Sequence, residues 1–280
     1  MQEHADPVGM PPFKRLELDG WQEQAATYDD HVGRLTQEAD KHLIDAVELR
    51  PGMRLLDICS GPGYGAGLAA ERGAKACGID FAPAMVEQAK QRFPNVEFRF
   101  GDAEALDFPD ASFDAAICPF GLMHLNDPDR AIAEAFRVLK PGARYGFAAW
   151  SAPEKAELLG LALKVLAAHA DMSVPMPPGP PFFQYSDPAV AKAALERAGF
   201  DSIAFREVPL LFRGRTPEDV WDFFMKGTVR IMALIRLQTA DRQARIRDGI
   251  MQAAKNYQQG DGLKIPSSAI VHSGRKPPGA

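Results

Sequence analysis

The chain has 280 residues, with 32 Lys and Arg against 37 Asp and Glu, and a net charge of −5 at pH 7. Its basic residues are spread along the sequence, which argues against a nucleic-acid partner. No apolar run reaches the roughly 18 residues of a membrane span, and the N-terminal residues lack a signal-peptide pattern. We therefore expect a soluble, cytoplasmic protein built as one decorated domain.

The three cysteines, Cys59, Cys77 and Cys118, are widely spaced and form no CxxC or CxxH motif. A disulfide framework and a zinc site both need closer or paired spacings. We therefore expect reduced thiols and no bound metal.

In chain order, residues 1–12 have the composition of a loose tail, and helical patterns follow around 21–31 and at 42–49. Short apolar runs then predict strands at 54–59, 75–80, 96–100, 113–118 and 144–149. Helical patterns at 63–72, 83–92 and 128–140 alternate with these strands, and Pro141-Gly142 is expected to end the last helix. This alternation predicts an α/β fold, with a parallel sheet covered by helices on both faces.

After Trp150 the alternation breaks. We expect helices at 154–170 and 188–198, a Pro, Met and Phe segment at 173–183, a strand at 203–211, helical structure over 217–256 and a late strand at 265–273. The predicted division is therefore a tail and lid helix (1–36), a core (37–150), a lid insertion (151–185), core again (186–214), a helical lid insertion (215–262), and a final strand and tail (263–280).

The stretch LLDICSGPG at 55–63 places Gly61 and Gly63 directly after a predicted strand. Glycines there let the backbone turn sharply and approach a ligand, while the next helix presents its N-terminal amides. Read as GxGxxA, with Ala66 as its last position, the loop also suits NAD, so the motif alone is weak.

Three acids, Asp57, Asp80 and Asp102, stand at the carboxyl ends of successive predicted strands. Carboxylates converging on one edge of a sheet would repel a pyrophosphate. They would favour a ligand with an ammonium, a sulfonium, a ribose and an adenine amino group. S-adenosylmethionine carries all four groups.

Five segments, LLDICSGPGYG, GIDFAPAMVEQAK, VEFRFGDAEALDFPDASFDAAIC, MHLNDP and AFRVLKPGARYGF, together resemble the class I S-adenosylmethionine-dependent methyltransferases. The likeness is strongest to the small-molecule group that includes quinone-biosynthesis enzymes, and it covers residues 20 to 150 well. It implies a Rossmann-like, seven-stranded, mostly parallel sheet whose last strand is antiparallel.

The resemblance also implies a set of residues around S-adenosylmethionine, whose product is S-adenosylhomocysteine. By the family pattern, the methionine part would be surrounded by Asp57, Ser60, Gly61 and Gly63. Asp80 would take the ribose hydroxyls. The adenine would meet Phe81, Met85, Asp102, Ala103 and Glu104.

This chain departs from the family pattern at two positions. Cys59 stands where the family has the first glycine of GxGxG, so a small side chain would narrow the site. Met123 replaces the first of two frequent histidines and leaves His124 as the remaining one.

Several residues keep two interpretations. His124 would act as a general base or pack beneath the crevice. Tyr28, in the run AATYD, is the second candidate catalytic residue. Its ring or that of Trp21 would close over the cofactor and favour the sulfonium with its negative face, or would only pack. Asp57 has the alternative of capping the loop through backbone amides, and Asp80 and Asp102 that of exposed strand-end acids.

Cys118 would lie beside the transferred methyl group, as a wall of the site. Its Cys-Pro order and the absence of a nearby basic residue argue against a nucleophile. The apolar stripe at 220–237 is more typical of core than of a pocket. Arg230 and Arg236 are expected to be solvated, with contact to an acidic substrate group as the alternative for one of them.

Methyl transfer from a sulfonium needs alignment and exclusion of water more than acid or base groups. The expected function is therefore in-line methyl transfer to an apolar or aromatic small molecule under an apolar roof. The predicted roof residues are Phe182, Phe183, Trp221, Phe223, Phe224, Met225 and Met232. The alternatives are a non-catalytic cofactor-binding protein and an NAD-dependent oxidoreductase. The acceptor atom and the oligomeric state are left open.

Overall fold

A computed structural model describes residues 9–280. Of the predicted N-terminal tail, residues 1–8 lie outside the described residues. Within the described part, eight strands form one sheet: β1 (Arg54–Ile58), β2 (Lys75–Asp80), β3 (Glu97–Phe100), β4 (Phe113–Pro119), β5 (Leu139–Trp150), β6 (Asp201–Gly214), β7 (Gln258–Gln259) and β8 (Gly262–Arg275).

Eleven α-helices accompany the strands in the same described part of the chain. They are α1 (Pro12–Gln24), α2 (Gly33–Thr36), α3 (Asp40–Ala46), α4 (Tyr64–Glu71), α5 (Pro83–Arg92), α6 (Pro128–Val138), α7 (Glu157–His169), α8 (Pro188–Ala198), α9 (Pro217–Gly227), α10 (Arg230–Arg236) and α11 (Ala240–Ala254). The longest has 15 residues, and no helix within residues 9–280 has the length and apolarity to cross a bilayer.

The sheet order is β3-β2-β1-β4-β5-β8-β6, with the two-residue β7 paired to β8. β1 pairs in parallel with both β2 and β4, whereas β8 is antiparallel to β5 and β6. The predicted α/β fold with an antiparallel last strand is therefore confirmed, but the sheet has eight strands rather than the expected seven, because the two-residue β7 adds to β8. The chain reverses its direction of strand addition between β1 and β4, and ligands of such sheets bind at that point, beyond the carboxyl ends of the strands.

The central strands are apolar because both of their faces are covered. Leu55, Leu56 and Ile58 in β1 and Ala115 to Ile117 in β4 are almost fully buried. β3, at one edge of the sheet, buries only Phe98 of its four residues. The core therefore packs against the central strands on both faces of the sheet and fixes the position of the ends of β1 and β4.

The structure departs most clearly from the sequence prediction at three places. The N-terminal helix begins at Pro12 and ends at Gln24, so Tyr28 belongs to a separate short 3-10 turn. α6 ends at Val138, and Pro141-Gly142 lies inside β5. Gly142 adopts φ +82° there, and its amide donates to the carbonyl oxygen of Lys276. The Pro-Gly pair therefore lies in an irregular first part of β5 and does not end a helix. The helical region at 217–256 is divided into α9, α10 and α11.

The two glycines of the loop after β1 have different surroundings. Gly61, at φ +51°, would have no atom within 4 Å of an added Cβ, so space is open above its backbone. An added Cβ on Gly63, at φ +87°, would lie 2.6 Å from the Phe98 ring. Only Gly61 is therefore free for close approach of a ligand, whereas Gly63 is required by packing.

We predict that Gly63→Ala destabilises the protein more than Gly52→Ala does. Both positions have nearly the same positive φ, but an added Cβ at Gly52 meets nothing within 4 Å. The control variant therefore bears only the backbone cost of about 1–2 kcal/mol. Gly63→Ala adds overpacking of about 1–3 kcal/mol. Urea unfolding curves measure the difference, and equal losses would contradict the packing role of Gly63.

Candidate functional site

Two clefts lie at the carboxyl edge of the sheet. The first, here called the edge cleft, lies beyond β1, β2 and β4 and has a volume of about 70 Å³. Of the predicted site residues, it is lined by Tyr28, Gly61, Asp80, Phe81, Met85 and His124. The second, here called the side cleft, is lined by Phe81, Asp102, Ala103, Glu104 and His124 together with Lys14. Cys59 lines both clefts.

Four predicted site residues lie outside the walls of both clefts: Asp57, Ser60, Gly63 and Cys118. Cys118 is fully buried, and its sulfur lies with the Cys59 side chain close against Gly121. The Ser60 hydroxyl is buried without a partner. Direct contact of these four with a cofactor stays a prediction.

Asp57 is fully buried at the end of β1. Its Oδ2 accepts a hydrogen bond of 2.8 Å from the amide of Ala66 in the first turn of α4. Its Oδ1 is buried and has no partner, and burial raises the pKa of Asp57 to about 8. The loop-capping interpretation therefore accounts for one oxygen only, and the other is left without a hydrogen-bond partner.

Asp80, at the end of β2, is held by backbone amides. Its carboxylate accepts from Gly61 and Ala82, each at 2.9 Å. Burial raises the pKa of Asp80 to about 6, although these amides and others oppose the shift. The exposed strand-end alternative is therefore wrong for Asp80, because only 6% of this residue is exposed.

Asp102 is paired with a cation that the sequence did not indicate. Lys14, on α1, donates to Asp102 Oδ2 at 2.5 Å and to Glu104 Oε2 at 3.1 Å. Glu104 Oε1 also accepts from the amides of Asn126 and Asp127, just before α6. Lys14 therefore makes the carboxyl edge of the sheet less negative near Asp102 than the sequence prediction of three unpaired acids implied. Glu104 also stabilises the backbone just before α6.

Asp40 is a further buried acid that sequence reasoning missed. It begins α3 and is 4% exposed. Burial and the charge of Asp57 raise the pKa of Asp40 well above its usual range. It lies between the helical patterns predicted around 21–31 and at 42–49, so no sequence signal marked its burial.

Tyr28 lines the edge cleft from the N-terminal segment. Its hydroxyl lies 3.2 Å from Thr36 Oγ1, and its ring packs edge-on against Trp21 at 5.7 Å between centroids. Burial raises the pKa of Tyr28 to about 12. The phenol therefore stays protonated at neutral pH and is unsuited to act as a base.

His124 ends a short 3-10 turn after β4. Its Nδ1 lies 2.9 Å from an oxygen of Glu17, a fully buried residue of α1. The imidazole packs edge-on against Trp21 at 4.9 Å and Phe182 at 5.9 Å. His124 is therefore held in place by polar and aromatic contacts from distant segments.

A larger apolar cavity of about 530 Å³ adjoins the edge cleft. The two share four lining residues, Trp21, Val32, His124 and Trp150. Three of the predicted roof residues line this cavity, namely Phe182, Phe183 and Phe223. The other four, Trp221, Phe224, Met225 and Met232, do not line it. Sequence reasoning missed the contribution of α7, through Leu159, Leu163, Leu166 and Ala167, and that of Met172 and Met176.

The expectation of a solvated Arg230 is wrong. Its side chain is 18% exposed, and Nε donates to Glu17 Oε1 at 2.8 Å. Arg236 lies at the surface, paired with Glu23. Within residues 9–280, no group of three or more His, Cys, Asp or Glu is arranged to hold a metal ion.

A family model described as a methyltransferase domain matches residues 56–147. The chain is 41% identical over 111 residues to a demethylmenaquinone methyltransferase of Renibacterium salmoninarum, covering 40% of this chain and 47% of that protein. It is 31% identical over 135 residues to a malonyl-[acyl-carrier protein] O-methyltransferase of Serratia marcescens, covering 48% and 53%. The chain thus spans about half the length of these curated relatives.

Among solved structures, the chain is similar to the YcgJ protein of Bacillus subtilis, with a TM-score of 0.55 and 22% identity. That likeness covers 85% of this chain and 98% of the other. At this identity it concerns the fold alone, and the shared fold is the one described above.

S-adenosylmethionine is the cofactor of this domain, and the residues present fit it. The unpartnered Oδ1 of Asp57 and the open space above Gly61 lie at the end of β1. Asp80 and Phe81 follow at the end of β2. This end of β1 therefore holds a buried carboxyl oxygen without a hydrogen-bond partner, and that oxygen would suit a positively charged donor.

We predict that S-adenosylmethionine binds more tightly as the pH rises from 6 to 8. Asp57, with a pKa of about 8, is mostly protonated at pH 7, and a cation favours its ionised form. Binding therefore releases protons, and affinity rises by up to about tenfold per pH unit. The raised pKa of Asp80 adds to the increase of affinity with pH. Asp40, on α3, is a further buried acid that interacts electrostatically with Asp57.

Calorimetric titration at pH 7, in buffers of different ionisation enthalpy, counts the released protons. Asp57→Asn is the matched control, because the amide oxygen can still accept from Ala66 but the side chain no longer titrates. It should release fewer protons. Equal proton release by the two proteins, or an affinity independent of pH, would contradict the assignment.

Proposed function

We propose, from the premise that residues 56–147 form a class I S-adenosylmethionine-dependent methyltransferase domain, that this protein methylates an apolar or aromatic small molecule. The observation that carries the proposal is the apolar cavity of about 530 Å³ that shares His124 and Trp21 with the edge cleft. Its volume lies within the range of small-molecule sites, about 300–1,000 Å³.

When bound, S-adenosylmethionine supplies a methyl group activated by the positive sulfonium. The chain then has to align an acceptor with that methyl and to exclude water. Trp21 and Trp150, shared by the cleft and the cavity, are placed to enclose the point where the two meet. His124 stands at the same junction and is our candidate for the base that removes a proton from the acceptor.

The walls of the apolar cavity support the division of the chain into core and lid. They come from α1, α7, the segment at 170–183, and the α9 to α10 region. We infer that these segments form a lid over the core and select the acceptor. Their apolar side chains favour an acceptor with a large aromatic or aliphatic surface.

The alternatives are less well supported. A non-catalytic cofactor-binding protein is expected to have a blocked acceptor site, whereas this cavity is open beside the cleft. A dinucleotide-dependent oxidoreductase needs a site that accepts pyrophosphate, and the buried acids Asp57 and Asp80 disfavour that anion.

The direct test is product formation from S-adenosylmethionine carrying a labelled methyl group. The purified protein is incubated with a panel of apolar phenols, thiols, amines and enolisable aromatic ketones, and products are identified by mass. We expect transfer to at least one apolar aromatic acceptor. Binding of S-adenosylhomocysteine without transfer to any of them would favour the non-catalytic alternative.

We predict that Ala167→Phe raises the KM for the acceptor at least tenfold, because Ala167 lines the apolar cavity on α7. Ala168→Phe is the matched control, since Ala168 is also exposed on α7 but does not line the cavity. Affinity for S-adenosylhomocysteine should be unchanged in both. An equal effect of the two variants on KM would place acceptor binding elsewhere.

A further inference from the structure

Glu17 of α1 connects two residues that are far away in sequence. One carboxylate oxygen lies 2.9 Å from His124 Nδ1, and the other accepts from Arg230 Nε at 2.8 Å. Glu17 is fully buried. A buried carboxylate costs free energy unless it is paired and hydrogen-bonded, and here both oxygens have a partner.

Each of the three nitrogens of the Arg230 guanidinium donates to a fixed acceptor. Besides Glu17, the guanidinium donates to the carbonyl oxygen of Pro180 at 2.9 Å and to that of Met123. It also lies over the Phe13 ring, 4.4 Å from the centroid. Because arginine has donors only, the Glu17 oxygen that faces Arg230 must act as an acceptor.

The other oxygen of Glu17 determines the tautomer of His124. In its ion pair with Arg230 the carboxylate accepts only, so the hydrogen between Glu17 and Nδ1 belongs to the imidazole. In the neutral ring Nε2 then carries a lone pair. Within residues 9–280 the only hydrogen bond of the imidazole is the one through Nδ1.

We propose that Glu17 is a positioning residue, which fixes His124 as the Nδ1–H tautomer and leaves Nε2 free to accept a proton from the methyl acceptor. This inference rests on the proposed function, in which His124 faces the acceptor. Glu17 acts through His124, and the ion pair with Arg230 keeps its carboxylate oriented.

The arrangement also couples the tautomer to the docking of the lid. Arg230 is the first residue of α10, and the end of α1 and the residues after it are bound to α9 at further points. Gln24 Nε2 donates to Met225 O at 3.2 Å, and Thr27 Oγ1 donates to Lys226 O at 2.7 Å. The base is therefore complete only when α1 and α10 are docked against each other.

Glu17→Gln tests the proposal because glutamine has a single acceptor oxygen. Arg230 is an obligate donor and takes that oxygen, so the amide NH₂ turns toward Nδ1. The imidazole must then accept at Nδ1 and carry its proton on Nε2. The shape of the side chain is preserved, but His124 loses the free lone pair at Nε2.

Nitrogen-15 chemical shifts of the histidine rings measure the tautomer without turnover, and a His124→Gln sample identifies the His124 signal. We expect Nδ1–H in the wild-type protein and Nε2–H in Glu17→Gln. The variant should lose about 100-fold in kcat, the scale of general-base catalysis. KM and the affinity for S-adenosylhomocysteine should stay within about twofold, since the substitution preserves the shape of the side chain and leaves the apolar walls of the cavity unchanged.

Glu23→Gln is the matched control, because Glu23 lies on the same helix and pairs with Arg236 at the surface. It should leave tautomer and kcat unchanged. An Nε2–H or doubly protonated His124 in the wild-type protein would overturn the proposal, as would a Glu17→Gln variant with wild-type tautomer and kcat. Absence of S-adenosylhomocysteine binding would instead overturn the proposed function, so the two failures are distinguishable.

Discussion

Burial of carboxylates at the carboxyl edge of the sheet is the constraint on which the site depends. Asp57 and Asp80 are held in a low-dielectric environment that raises their pKa to about 8 and about 6. In the unfolded chain both would titrate near 3.9. The native state therefore retains protons that the unfolded state releases, and the stability of the ligand-free protein falls as the pH rises from about 4 to 8. A bound cation would recover part of that loss, because it stabilises the ionised acids only in the folded state.

The backbone near these acids adopts a conformation and a close packing that shape the carboxyl edge of the sheet. Cys59 adopts φ +57° where most side chains are disfavoured. An added Cβ on Gly121 would contact both Cys59 and Cys118, so Gly121 must lack a side chain for the β1 and β4 ends to pack. The predicted narrowing of the cleft by Cys59 agrees with its position in the walls of both clefts. The β1 loop thus combines one open glycine with neighbours that are fixed by packing.

The core of the fold could be predicted because its signals are local. Buried parallel strands appear as continuous apolar runs, and their ends carry Asp57, Asp80 and Asp102 at regular places. Gly61 and Phe81 come shortly after the predicted strands β1 and β2, and both line the edge cleft as the prediction requires. Residues 56–147, where the family model matches, are also the part in which the predicted elements lie closest to the observed ones.

The rest could not be predicted because it depends on contacts between distant segments. Lys14 meets Asp102 across 88 residues, and Glu17 meets Arg230 across 213. No local pattern encodes such pairs, and an arginine in an apolar helical stripe was expected to be solvated. The α1 boundary was misplaced for a related reason. Its buried positions include Glu17 and Gln24, so apolar periodicity does not mark the face that packs.

The most direct test of the account is a crystal structure of the protein with S-adenosylhomocysteine. We expect the ribose hydroxyls within hydrogen-bond distance of Asp80, about 2.7–3.0 Å. The amino group of the ligand should lie on the Asp57 side, and its sulfur should face the apolar cavity beside His124. A ligand bound away from Asp80, or a sulfur that faces away from that cavity, would contradict the account.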